Sequence, residues 1–80
     1  MTAPIDDRLK AILAEVLEVR PAAIADDFSR DSTPNWDSLG HLTLVSTLES
    51  EFGVTFGMAE MLELTSYRRI RDALAKHMAA

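Results

Sequence analysis

Apolar residues in this chain return at intervals of three and four, and that spacing restricts it to packed helices. Ile5, Leu9, Ile12, Leu13, Val16 and Leu17 form one stripe, which predicts a first helix from about Ile5 to Glu18. Asp6 and Asp7 sit near the positive end of its dipole. Pro21 has no amide hydrogen and drives Arg20 toward extended torsions, so the helix stops before it. A second helix opens at Asp37-Ser38 and runs to about Phe52, with Leu39, Leu42, Val45, Leu48 and Phe52 on the face expected to be buried and Leu44 on its flank. Asp37 suits the N-cap, and Gly53 is the natural left-handed stop. After an extended link at Val54-Thr55-Phe56, a short third helix is predicted over Met58 to Glu63, turning Met61 and Leu62 inward. Thr65 or Ser66 caps a fourth, ending near Met78, with Tyr67, Ile70, Leu74 and Met78 on one side and Arg68, Arg69 and Arg71 on the other.

Between the first two helices, from about Pro21 to Trp36, lies a stretch rich in turn formers: Asp26, Asp27, Ser29, Asp31, Ser32, Thr33, Pro34 and Asn35. Ile24 and Phe28 are expected to pin it to the core. A loop this long in a small domain is usually functional, and one or two short helical turns are expected within it. No strand pattern of useful length competes. The expectation is an all-α fold, a small four-helix bundle of three long helices and one short one, with residues 1–80 as a single domain.

Eighty residues support only a thin core. The absence of cysteine excludes disulfides and thiolate-held zinc, and His41 and His77 are too far apart in sequence to suggest a metal pair. No basic head with an apolar run opens the chain, and no stretch is long enough to cross a bilayer, so a cytoplasmic location is expected. A monomer is expected as well. The net charge is −5. Between Asp31 and Tyr67 there is no Lys or Arg, while Asp31, Asp37, Glu49, Glu51, Glu60 and Glu63 fall there. Such a segment repels nucleic acid and attracts basic protein surfaces, although an ordinary solvated face has the same composition.

The chemistry concentrates in Asn35-Trp36-Asp37-Ser38-Leu39-Gly40-His41-Leu42, followed by Leu48-Glu49-Ser50-Glu51-Phe52-Gly53-Val54. Ser38 stands at the start of a helix, where unpaired amides and the positive dipole end welcome a phosphate. Taken alone, an Asp-Ser pair before a helix is more often a simple cap.

The arrangement as a whole resembles the acyl carrier protein family. There, an Asp-Ser-Leu triplet opens the second helix and an acidic Leu-Glu-x-Glu-Phe-Gly run closes it; here these are Asp37-Ser38-Leu39 and Leu48 to Gly53. Leu17-Glu18-Val19 with Ile24 and Asp27-Phe28 upstream, and Thr65-Ser66-Tyr67 downstream, extend the similarity over nearly the whole chain. The resemblance implies that Ser38 carries 4′-phosphopantetheine, moved from coenzyme A by a phosphopantetheinyl transferase that reads Asp37 and Leu39. The arm's thiol then holds an acyl group as a thioester, the protein supplies delivery rather than catalysis, and Leu39, Glu49 and Glu51 meet the enzymes that load and process the acyl group. Trp36 stands where a glycine commonly precedes the triplet, and Gly40, Thr43 and Ser50 stand where acids are frequent. These departures point to a discrete carrier of a specialised pathway rather than of housekeeping fatty-acid synthesis. An aminoacyl or peptidyl carrier is the alternative, although the Gly-Gly-His-Ser pattern often seen there is absent.

Several bland readings compete. Leu39 is equally suited to the core. Trp36 more readily packs over a helix end than shields a cargo. Met58 and Met61 fill a core as easily as they line a pocket for an acyl chain. A hydrolase using Ser38 and His41, three apart on one helix face, also needs an orienting acid and an oxyanion hole; no Gly-x-Ser-x-Gly elbow exists, and eighty residues leave little room for a water-excluding cleft. A helical docking module without a prosthetic group keeps the bundle and the acidic face but has no use for Ser38. Asp26, Asp27 and Asp31 do not follow calcium-loop spacing.

Overall fold

A computed structural model describes residues 5–78. Its helices are α1 (Ile5–Leu17), α2 (Ser38–Phe52), α3 (Met58–Glu63) and α4 (Tyr67–Met78), and no strand occurs among the described residues. The long connection between α1 and α2 contains two single-turn 3-10 helices, Pro21–Ala23 and Arg30–Ser32. The all-α bundle expected from periodicity is therefore the observed fold.

The termini follow local chemistry. Glu18 takes the left-handed conformation (φ 56°) just past α1, and the Val19 amide donates back to the Ala14 carbonyl at 3.0 Å. That geometry ordinarily selects glycine, and a side chain there costs on the order of 1 kcal/mol. At the end of α2 the same turn is made by Gly53 (φ 65°), with Val54 donating to the Glu49 carbonyl at 3.2 Å. Of the two cap candidates for α4, Ser66 does the work: its Oγ accepts from the Arg69 amide at 3.2 Å.

Leu9, Leu13 and Leu17 of α1 meet Leu44, Val45 and Leu48 of α2 and Ile70 and Leu74 of α4 in one buried cluster. Ile24, Phe28 and Trp36 close it from the long loop, and Phe56, Leu64 and Tyr67 from the other connections. Backbone pairing stitches the loop to the head of α4: Arg30 donates to the Thr65 carbonyl and Tyr67 to the Phe28 carbonyl, each at 2.9 Å. Asn35 Nδ2 donates to the Leu17 carbonyl at 3.0 Å, satisfying an orphan acceptor at the end of α1. Arg8 binds the opposite end of the bundle. Its Nη2 donates to the Glu51 carbonyl at 2.9 Å and its guanidinium lies 4.4 Å from the Phe52 ring centroid, placing a cation at the negative end of the α2 dipole.

The expected orientation of α2 requires correction. Leu39 is 74% and Leu42 52% exposed, while His41, Leu44, Val45 and Leu48 are buried and Phe52 is half-buried. The helix is apolar on more than one side, so spacing alone admits two stripes, and the buried one runs through a histidine. In α3 only Met61 turns inward, packing half-buried on the core; Leu62, expected beside it, is 66% exposed. A helix of six residues has room for one inward face. Met78 at the end of α4 is likewise exposed.

Candidate prosthetic-group site

Ser38 is the first residue of α2 and is exposed. Asp37 before it is extended (φ −90°, ψ −171°), and its Oδ1 accepts from the Gly40 amide at 2.7 Å. The Asp37 carbonyl accepts from the His41 amide at 2.8 Å and begins the helical ladder. Asp37 thus spends one carboxylate oxygen on the cap, and the Ser38 and Leu39 amides remain free of intrahelical acceptors. Gly40 is required by close approach: a Cβ there would lie 2.7 Å from the Asn35 carbonyl oxygen and 3.2 Å from Asp37 Oδ1. The loop end therefore lies directly on the first turn of α2, holding Ser38 outward.

Beneath this turn runs a buried polar chain that sequence reasoning did not anticipate. Trp36, 2% exposed, donates its indole Nε1–H to His41 Nδ1 at 3.0 Å. Because Nδ1 accepts, the ring proton is on Nε2, which donates to the Met61 carbonyl at 2.8 Å. Phe28, Trp36 and His41 stack in series, with centroids 5.9 Å and 6.2 Å apart. One imidazole thus joins the loop, α2 and α3. Both of its nitrogens are occupied, so His41 has no lone pair to offer Ser38, although the two residues lie within one helical turn. A histidine four positions after the cap, with a tryptophan just before that cap, was the only available signal, and it does not distinguish a structural imidazole from a catalytic one.

Between α2 and α3 an apolar cleft of about 200 Å³ opens at Ser38, lined by Arg30, Ser38, His41, Leu42, Met61 and Leu62. Arg30 is half-buried, with its Nε donating to the Trp36 carbonyl at 3.0 Å. A larger depression of about 290 Å³ between α3 and α4, lined by Glu60, Glu63, Leu64, Arg69, Asp72 and Ala73, does not reach Ser38. Beside it, His77 Nε2 donates to Glu60 Oε1 at 2.8 Å, and the imidazole meets the Phe56 ring edge-on at 5.2 Å, tying α3 to α4.

The expected partner-facing residues divide. Leu39 and Glu51 are exposed on α2. Glu49 is half-buried, and its Oε2 accepts from the Phe56 amide at 2.8 Å, so this carboxylate fixes the α2–α3 connection from within. No group of three or more His, Cys, Asp or Glu side chains converges as a metal site among the described residues.

The residues present fit a phosphodiester-linked arm. The hydroxyl is reachable, free amides lie beside it, and Arg30 lines the apolar cleft that leads away from it. A helical bundle displaying one serine in this way defines a carrier domain. Residues 7–74 match the family model described as "Phosphopantetheine attachment site". The chain is 32% identical over 74 residues to an acyl carrier protein of Thermosynechococcus vestitus, covering 92% of this chain and 91% of that protein. It is 30% identical over 77 residues to polyketide-8 synthase acyl carrier protein 2 of Streptomyces avermitilis, covering 96% and 88% respectively. The chain belongs to the phosphopantetheine-binding acyl carrier protein family and bears a covalent 4′-phosphopantetheine group. That group supplies a mobile thiol on which acyl groups travel as thioesters.

Proposed function

We propose that Ser38 is the attachment point and that this protein is a discrete, non-catalytic carrier of a specialised biosynthetic pathway, its 80 residues acting as one carrier unit. The observation that carries the reading is the exposed hydroxyl at the first turn of α2, opening onto the cleft between α2 and α3. In the loading step, Ser38 Oγ attacks the coenzyme A phosphorus that bears pantetheine. The bond to adenosine 3′,5′-bisphosphate breaks, and the serine proton leaves to a base of the transferase. Asp37, as the cap, and Leu39, displayed on the surface, are suited to recognition by that transferase.

Partner enzymes that load and process the acyl group would meet the surface formed by Leu39, Leu42, Met58 and Leu62, all exposed, with Glu51 at the far end of α2. Exposed charge of this kind sets encounter rate and orientation more than affinity, which suits a shuttle that each partner must release. Polyketide assembly is favoured over an aminoacyl or peptidyl role because one matched relative is named as a polyketide synthase carrier.

Incubation of the purified protein with coenzyme A, magnesium and a broad-specificity transferase, followed by intact-mass measurement, is expected to show one phosphopantetheine increment, and none in Ser38→Ala. An unmodified wild-type protein would favour a docking module without a prosthetic group. Glu51→Lys is expected to slow turnover with a partner synthase chiefly at low salt, because screening weakens exposed charges. Unchanged kinetics at every ionic strength would assign Glu51 to a merely solvated surface.

A further inference from the structure

We propose that Arg30 is the phosphodiester anchor of this carrier: a positioning residue that grips the phosphate on Ser38 and directs the arm into the cleft between α2 and α3. The inference rests on the reading of Ser38 as the attachment serine.

The local charge balance favours such a residue. A phosphodiester on Ser38 places a negative charge one residue from the Asp37 carboxylate, which already occupies the positive end of the α2 dipole. No Lys or Arg occurs between Asp31 and Tyr67, so neither α2 nor α3 supplies a compensating cation. Arg30 supplies it from the loop, lining the same cleft as Ser38.

Its geometry suits the task. Nε is committed to the Trp36 carbonyl at 3.0 Å, which fixes the guanidinium plane against a backbone atom two residues before Ser38. Among the described residues no carboxylate pairs with Arg30 and no acceptor engages its terminal nitrogens, so both Nη groups remain available for phosphate oxygens. Trp36 is itself held by His41, so the chain His41–Trp36–Arg30 relays the packing of the core to the edge of the site. The rest of the cleft wall is Leu42, Met61 and Leu62, apolar surface on which the arm's carbon chain can lie once its phosphate is anchored.

The test compares apo and loaded forms of the full chain, with loading verified by intact mass in every sample. In the wild type, the Arg30 guanidinium NH signals are expected to shift and exchange more slowly on loading. The 31P resonance of the loaded protein is expected to move in Arg30→Gln and to stay closer to wild type in Arg30→Lys. Both effects should fade between about 0.01 M salt, where charges interact over about 30 Å, and about 1 M, where the range is about 3 Å. Coincident 31P resonances in fully loaded wild type, Arg30→Lys and Arg30→Gln, with guanidinium signals indifferent to loading, would overturn the proposal while leaving Ser38 as the attachment point. Failure of the wild type to gain mass would overturn both readings. Should Arg30→Gln fail to fold, the wild-type guanidinium comparison decides alone.

Discussion

His41→Leu is the most informative single change to the scaffold, because leucine retains much of the buried volume and removes only the polar links. In the wild type the imidazole accepts from Trp36 Nε1 and donates to the Met61 carbonyl, at 3.0 and 2.8 Å, and is only 5% exposed. Leucine leaves an indole N–H and a backbone carbonyl without partners. Each buried group left without its hydrogen bond costs about 1–3 kcal/mol, a figure that already contains the lost bond. Part of the second penalty is relieved, because α3 is short and Met61 only half-buried, so water can reach the carbonyl. The sum is a destabilisation of roughly 2–4 kcal/mol. A domain of this size has a total stability of only about 4–12 kcal/mol, and the melting temperature should fall by about 10–25 °C. Urea unfolding followed by fluorescence reads this directly, since Trp36 is the only tryptophan. Amide exchange should also quicken across α3 more than across α1. A loss below about 1 kcal/mol would refute the reasoning. So would strict additivity with Trp36→Phe, because two residues joined by a buried bond must couple.

Two further substitutions probe the frame. Gly40→Ala places a Cβ 2.7 Å from the Asn35 carbonyl oxygen, so the gain of about 1 kcal/mol in helix propensity should be outweighed by a steric cost of about 1–3 kcal/mol; a more stable Gly40→Ala protein in urea unfolding would contradict that close approach. Tyr67 has its pKa pushed up to about 12, first by burial and then by the hydrogen bond its hydroxyl donates to Asp6 at 2.9 Å. Because the folded value lies above the unfolded value of about 10, this contribution is fully present below pH ~10 and is lost as pH rises toward ~12. Discounted for the exposed Asp6 partner, it amounts to about 1–2 kcal/mol, and Tyr67→Phe should flatten the alkaline limb of a stability-versus-pH curve. An unchanged limb would show that another group controls it.

The helices themselves were legible because each boundary has a local cause: Pro21 after α1, Asp37 and Gly53 around α2, and Ser66 before α4. The orientation of α2 was not. Leu39, Leu42, Val45 and Leu48 satisfy the periodicity as well as the set that is buried, and the choice is made by partners remote in sequence. His41 is drawn inward because Trp36 and Met61 complete its hydrogen bonds, and Leu39 and Leu42 are left outside as a consequence. Glu49 reads in sequence as a surface acid, and only the α2–α3 connection, which returns the Phe56 amide to that carboxylate, gives it a structural role. Arg8 and Arg30 carried no sequence signal, since their acceptors are backbone carbonyls whose positions only the fold determines. Ser38 is proposed as the attachment serine on the pattern around it; a serine at a helix start is common, and the triplet, the acidic run and the helix spacing together set it apart.

The most direct test is to digest the loaded protein and locate the modification by fragment-ion mass spectrometry. Serines at positions 29, 32, 46, 50 and 66 compete in principle for the same arm. The account predicts that every modified fragment ion assigns the phosphodiester to Ser38 alone, whereas an arm on any other serine, or on several, would contradict it.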